Sequence, residues 1–364
     1  MPTDPLADVR ALFDPAPGIT YLDTATYGLP PRPTVEVLHQ AIDAWQSASA
    51  NWVSDWDTRG EACRAAFARL SGMPRENVAL VPSASVGVGT VASTLTARDE
   101  VVISDDEFTS VLFPMLVAAQ CRGVTVTQVP FEALAEHVTP STTLVAFSLI
   151  QSQSGRAADQ RQIVDAARQV GARTLVDATH AVPFVAVDPR ADFVVCAAYK
   201  HLLSPRGVAF LSVAPQYWDS IPAWLANWRS TRHPYAVHYG GPLDQADGAA
   251  RFDVSLAWHA WAGAAISLEL LATWQANGLL NEPLALARRL AGQIDLPAPV
   301  GTIVSVPVDD ADSLPDELAA AGIKAAVRAG SVRLSTHVYN TVEDVDTAVS
   351  ALASLPRRQP VVRR

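Results

Sequence analysis

Between about residues 75 and 215 the chain repeats one alternation: a short apolar run rich in β-branched residues, then a stretch with helical periodicity. The runs are NVALV (77–81), EVVISD (100–105), VTVTQV (124–129), TTLVAFSLI (142–150), RTLVD (173–177), DFVVCAA (192–198) and GVAFLSV (207–213). Near-continuous apolar strands separated by helices are stable in a mostly parallel sheet with both faces covered. The segment ADQRQIVDAARQVGA (158–172) is one covering helix, amphipathic along its length and ended by glycine before the next run. The expected fold class is therefore α/β: a large domain with a mostly parallel seven-stranded sheet sandwiched by helices. Ligands in such sheets bind beyond the carboxyl ends of the strands, so functional residues are sought there.

Past residue 255 the pattern changes. LAWHAWAGAAISLELLATWQANG (256–278) reads as one long apolar helix ending near Gly278. Another helix follows, then a strand (301–308), a helix (313–322), two short strands within 323–336 and a last helix (341–353). That is a smaller α+β C-terminal domain. The expected division is an N-terminal segment (1–20), a large domain (21–255), the small domain (256–355) and a basic tail (356–364). Residues 229–250 hold Gly, Pro, His and Tyr with weak periodicity and read as a functional or crossing loop.

The formal charge of −10 excludes the basic field that a nucleic-acid or anionic-membrane surface needs. No apolar run is long enough to span a bilayer. The start, MPTDPLADVR, is acidic and proline-containing, unlike a secretory leader, and a cytoplasmic protein is expected. Cys63, Cys121 and Cys196 are an odd number without paired spacing, so neither a disulfide framework nor a metal site is expected.

Only two of the 27 basic residues are lysines, Lys200 and Lys324. Lysine can act as a free amine, whereas arginine stays protonated. Lys200, in CAAYKHLLSPRGVAFL, follows an apolar strand, where partial desolvation favours the neutral amine and Schiff-base chemistry with an aldehyde cofactor. Taken alone it is an ordinary snorkelling lysine. Asp177 alters that reading. It ends the strand RTLVD, 23 residues before Lys200. A carboxylate there suits the pyridine nitrogen of pyridoxal phosphate (PLP), although turn aspartates are common. Ser83-Ala84-Ser85 stands between a strand and a helix, a place for phosphate or for a simple N-cap. Phe108, beyond EVVISDD, suits either a cofactor face or the core. Arg333, on a C-terminal strand, can clamp a carboxylate with two hydrogen bonds. Its plain alternative is a salt bridge to Glu343-Asp344.

In this order the motifs resemble the class V aminotransferase family of fold type I PLP enzymes, which includes cysteine desulfurases, selenocysteine lyases, isopenicillin N epimerases and kynureninases. The resemblance runs from YLDTATYGLPP (21–31), through VDATHAVPF and CAAYKHLLSPRGVAFL, to RLSTHVYNTVEDVD (333–346). It implies that Lys200 carries PLP, that Asp177 pairs with the pyridine nitrogen and that His180 lies beside the cofactor. It further implies that Ser83, Ala84, Ser85 and Tyr199 hold the phosphate and that Gln151 or Ser152 approaches the ring hydroxyl. Arg333 is expected on the substrate carboxylate, with Thr26, Tyr27 and Trp52 at the substrate. A homodimer with shared active sites is implied as well, with Ser255 as a donor across the interface.

Four departures stand out. Phe108 replaces the usual stacking histidine, and Tyr199 the histidine that often precedes the lysine. Ser255-Leu256 stands in place of a Gly-Thr pair. Between GIKAAVRAG and SVRLS no loop carries the persulfide-forming cysteine of desulfurases. Trp56, Trp228, Trp258 and Trp261 read as pocket or packing residues, and His201, His233, His238 and His337 as structural, with His238, next to Tyr239, the best functional candidate among the four. The expected substrate is a small amino acid. A lyase cleaving a C–S or related β-bond is the first reading and an aminotransferase the second. An amino-acid epimerase and a non-catalytic PLP-binding protein are further readings.

Overall fold

The computed structural model describes residues 6–236, 238–308 and 314–353, so the basic tail lies outside the described residues. A two-residue strand, β1 (Thr20–Tyr21), comes first. The seven apolar runs then become β2 (Val78–Val81), β3 (Glu100–Ser104), β4 (Thr125–Val129), β5 (Leu144–Ser148), β6 (Arg173–Asp177), β7 (Phe193–Ala197) and β8 (Ala209–Val213). They form one sheet in the order β2-β8-β7-β6-β5-β3-β4. Only β8 runs against its neighbours. The carboxyl ends of the other six strands therefore share one edge of the sheet.

The two faces of this sheet are sorted by side-chain alternation. Val102, Phe147, Val176, Val194 and Phe210 enter one core, and Ile103, Ala146, Leu175, Val195 and Leu211 enter the other. Helices Ala84–Ala92, Thr109–Arg122 and Gln160–Val170 follow β2, β3 and β5. The third ends at Gly171 with φ +76°, as its sequence implied. The long apolar helix is Trp258–Ala276, and its Trp261, Leu268 and Leu271 join the same core as Phe210.

Towards the C-terminus, β9 (Ile303–Pro307), β11 (Ala326–Arg328) and β12 (Ser331–Ser335) make an antiparallel sheet in the order β11-β12-β9. Val304, Val306, Val332 and Leu334 pack beneath helices Asn281–Gln293 and Val342–Ala353. Strand β10 (Ile323–Lys324) pairs in parallel with β1, and Asp23 bridges to Ser335. The N-terminal chain is thus a strap along the C-terminal sheet. It continues to Gly28, whose N–H donates to the Tyr199 carbonyl at 2.9 Å. No described helix is long and apolar enough to cross a membrane.

A buried charge network fixes the loop that precedes the long helix. Asp253 accepts the Leu80 N–H at 2.8 Å and pairs with Arg64, while Arg229 pairs with Asp57. Asp57 also accepts from Tyr235 Oη at 2.7 Å and from Trp258 Nε1 at 3.0 Å. Removing one partner from such a network strands the others without water.

The strap and the Lys200 turn meet at Gly28. A Cβ there would lie 2.3 Å from the Lys200 carbonyl oxygen and 2.5 Å from Leu203 Cδ2. Gly28→Ala is expected to destabilise the fold by about 1–3 kcal/mol through overpacking. The measurement is the urea midpoint at unchanged slope, and an unaltered midpoint would mean that the strap moves aside freely.

Candidate active site

Lys200 stands three residues beyond the end of β7, buried to 6% exposure. Its Nζ lies 2.9 Å from His180 Nε2, 5.1 Å from the centroid of the Phe108 ring and 5.7 Å from that of Tyr199. Burial lowers the amine to about 8 against the opposing pull of Asp177, and the charges of Arg333 and Arg328 push it further down. A primary amine with that value is still mostly protonated near neutral pH, but its neutral fraction is far larger than that of an ordinary lysine, which favours nucleophilic or basic work.

Asp177 ends β6 and is buried. Its Oδ1 accepts the Thr179 N–H at 2.8 Å, and no arginine or lysine contacts it among the described residues. Burial raises its carboxyl above the ordinary range, while the Thr179 hydrogen bonds and Lys200 pull it down. A buried carboxylate so poorly compensated favours a proton or a cationic N–H donor at its side.

His180 is held well below its ordinary value, first by burial and then by Lys200 and His201. It is a neutral ring. Its Nε2 faces the Lys200 amine, and its Nδ1 lies 3.4 Å from His201 Nε2. His201 is likewise held neutral by burial, and its Nδ1 is buried without a partner. His337, pushed down to about 4 by burial, donates from Nε2 to the His201 carbonyl at 3.0 Å and accepts the Val338 N–H at 2.9 Å.

Above Lys200 opens a cavity of about 430 Å³ at the sheet edge, within the size range of small-molecule sites. Thr26, Phe108, Gln151, Ser152, Tyr199, Lys200 and Arg333 all line it, so the structure brings seven of the sequence-selected residues together. Arg333, on β12, is buried. It donates through Nη1 to the Ser152 carbonyl at 2.8 Å and through Nη2 to Thr26 Oγ1 at 2.7 Å. Asp23 Oδ1 lies 3.7 Å from Nη2, and Nε has no partner. Gln151 is tied within the chain, donating to the Asp106 carbonyl and accepting the Gln153 N–H at 2.7 Å.

Ser83 caps the helix Ala84–Ala92 by accepting the Val86 N–H, and its hydroxyl lies 3.0 Å from that of Ser85. Ser85 lines an adjoining groove that shares Thr109 with the cavity, whereas Ser83 and Ala84 lie off both walls. Asp177 and His180 lie beneath Lys200 rather than on the cavity wall, and Tyr27, Trp52 and Ser255 are also off that wall within this chain. Tyr27 is half-exposed beside Tyr21. Trp52 stacks on Trp258 at 5.0 Å and meets Trp228 edge-on at 5.6 Å. Ser255 is exposed just beyond Val254, whose N–H donates to the Leu80 carbonyl.

The cavity wall also includes Glu107, Arg206 and Arg328, to which the sequence reading gave no role. Arg206 lies 4.5 Å over the Tyr199 ring. Its place in the Pro-Arg-Gly turn after Lys200 was a usable signal. Arg328 precedes Arg333 by five residues on the neighbouring strand. Glu107 directly precedes Phe108 and is buried, accepting from the Ser148 N–H at 2.8 Å, the Ser148 hydroxyl and the Phe108 N–H.

Burial, assisted by the charge of Asp177, raises Glu107 from 4.5 to about 7 although its hydrogen bonds oppose this. The folded protein therefore keeps a proton that the unfolded chain releases between those values. The resulting stabilisation is complete below pH 4.5 and is lost as pH rises through 7. Glu107→Gln removes this dependence. The stability of wild type relative to the variant should fall by ~3 kcal/mol across that interval, measured by urea unfolding at each pH. A constant difference would contradict the assignment.

A family model described as aminotransferase class-V matches residues 20–314. A kynureninase of Deinococcus radiodurans is 31% identical over 268 residues, covering 69% of this chain. That match spans 65% of the kynureninase, just under two thirds of its length. A Bacillus subtilis protein described as the uncharacterized aminotransferase YcbU is 24% identical over 95% of this chain and 96% of its own. Among solved structures, the cystine C–S lyase C-DES in complex with its product cysteine persulfide superposes with a TM-score of 0.82 at 20% identity. It covers 93% of this chain and 98% of its own. With the fold, the sheet-edge lysine and the family match in agreement, the chain belongs to the class V aminotransferases, PLP-dependent enzymes of fold type I.

Proposed function

We propose that this enzyme is a lyase that cleaves a bond at Cβ of a small amino-acid substrate, with Lys200 as the residue that carries PLP and moves the proton at Cα. The observation that carries the proposal is the buried Lys200 amine, lowered to about 8, facing one cavity with the carboxylate-binding candidate Arg333. The residues fit PLP. Asp177 is a buried carboxylate without a cation in contact, as a pyridine N–H requires, and the Phe108 ring stands beside Lys200 Nζ as a cover for an aromatic plane. The helix start at Ser83–Ser85 offers N–H groups for phosphate, and Tyr199 and Arg206, stacked on each other at the cavity wall, offer further donors. When bound, PLP supplies an electron sink for the pair left at Cα.

The remaining work falls to this chain's own groups. Arg333 fixes the substrate carboxylate, and its preset bonds to Ser152 and Thr26 hold the guanidinium plane in place. The neutral amine of Lys200 accepts the Cα proton at Nζ, and its contact with the neutral His180 aims it. The protonated Nζ then delivers that proton to the departing group. The resemblance to kynureninase and the fold shared with C-DES support a lyase. A persulfide route is disfavoured. The turn between β11 and β12 is Ala329-Gly330, and both Cys63 and Cys196 are buried with thiols pushed up by burial. Aminotransfer is the second reading, favoured by the near full-length match to YcbU. A homodimer is also proposed, in which Trp52 and Ser255 face the partner's site.

The test incubates the holoenzyme with amino acids and S-substituted cysteines, without keto acid, while ammonia and pyruvate are assayed. Continuing release of both is expected, and Lys200→Ala should reduce the rate by about 10²–10⁴-fold. A single-turnover conversion of the cofactor to its amine form, reversed only by a keto acid, would establish aminotransfer instead.

A further inference from the structure

Three buried histidines stand one behind another next to Lys200, off the cavity wall: His180, His201 and His337. The His180 and His201 rings meet edge-on at 5.4 Å, and those of His201 and His337 lie parallel to within 10° at 6.2 Å. Phe184 stands nearly perpendicular to both His201 and His337. His201 directly follows Lys200, and its carbonyl accepts from His337 Nε2 at 3.0 Å. His337 Nδ1 accepts the Val338 N–H, so its two backbone partners fix its own proton on Nε2. The His201 ring is thus held through its backbone and walled in by other rings.

The gap between His180 Nδ1 and His201 Nε2 is 3.4 Å, room for one proton between two nitrogens. Both rings are kept neutral, first of all by burial, so each carries one N–H and one bare nitrogen. Two arrangements satisfy this. If His180 donates from Nδ1, His201 must carry its proton on Nδ1, which is buried and has no partner among the described residues. If His201 donates from Nε2, the group left without a partner is only a lone pair. Buried N–H groups without an acceptor are the rarer of the two, which favours the second arrangement. His180 then carries its proton on Nε2, 2.9 Å from Lys200 Nζ.

Nothing in the proposed function uses His201. Resting on the role of Lys200 in that reading, we infer that His201 is a positioning residue: it donates from Nε2 to His180 Nδ1 and so keeps a His180 N–H aimed at Lys200 Nζ. A neutral amine accepts that hydrogen bond through its lone pair, whereas an ammonium has only donors to set against it. The histidine pair therefore adds a directional preference for the neutral amine to the desolvation that lowers Lys200. Asp177, Cys196, Arg333 and Arg328 also act on the amine, the Phe108 and Tyr199 rings face it, and Glu107 lies on the same cavity wall. His337, Lys200 and Arg333 act on His201. Substitution of His201 leaves all of these groups in place.

The direct test is nitrogen-15 NMR of the histidine rings in the holoenzyme, whose eight histidines are few enough to assign by substitution. His180 and His201 should each show a proton on Nε2 and a bare Nδ1. A second measurement follows the rate of PLP uptake by the full-length apoenzyme against pH, which rises with the neutral fraction of Lys200. His201→Leu should move the midpoint upward by about half to one pH unit, roughly the threefold to tenfold change that one hydrogen bond is worth. His201→Gln, whose amide N–H can donate in the same direction, should recover most of that shift. A proton on His180 Nδ1, or an unmoved midpoint in His201→Leu, would overturn the inference and leave His201 a packing residue, with the proposed function standing. Covalent PLP uptake undiminished in Lys200→Ala would instead overturn the proposed function and the inference together.

Discussion

Taking the Lys200 ammonium out of water lowers its hold on a proton, and the surrounding structure is organised around that desolvation. The amine sits just past a fully buried strand, under the Phe108 ring and against a histidine that burial keeps neutral. Asp177 opposes the effect from below, whereas Arg333 and Arg328 reinforce it from the cavity wall. The balance leaves the amine near 8, a value that an isolated surface lysine does not reach. The same low-dielectric surroundings raise Glu107 to about 7 and hold His180 and His201 uncharged. One physical cause therefore adjusts four titratable groups in the same region.

Topology delivers these groups to one place. Because only β8 is reversed, the carboxyl ends of β2, β3, β5, β6 and β7 present Ser83, Phe108, Ser152, Asp177 and Lys200 along one edge. Arg333 comes from a separate sheet and reaches the edge because the strap of residues 20–28 joins both. It pairs with β10, gives Thr26 to Arg333 and packs Gly28 under the Lys200 turn. The site is thus assembled from three parts of the chain, and its geometry depends on how closely the strap fits.

Much of this was legible in the sequence, for reasons particular to each element. Apolar runs separated by helical periodicity named all seven strands to within about two residues, because burial on both faces leaves little freedom in composition. Lys200 and Asp177 were found through their strand-end positions and order. Arg328 and Glu107 were not. Arg328 reaches the cavity wall through its strand register beside Arg333, and Glu107 is set apart by its enclosure by Ser148 and the Phe108 amide, neither of which a linear pattern records. Trp52 was selected for its likeness to a pocket residue. In the fold it belongs to an aromatic cluster around Asp57 together with Trp228, Tyr235 and Trp258.

The central claim is that Lys200, rather than the other lysine, holds the cofactor. The most direct measurement is borohydride reduction of the holoenzyme followed by peptide mapping by mass spectrometry. The account predicts one pyridoxyl group per chain, on the peptide that contains Lys200, and none on that of Lys200→Ala. A pyridoxyl group on Lys324, or bound cofactor that reduction attaches to neither lysine, would contradict it.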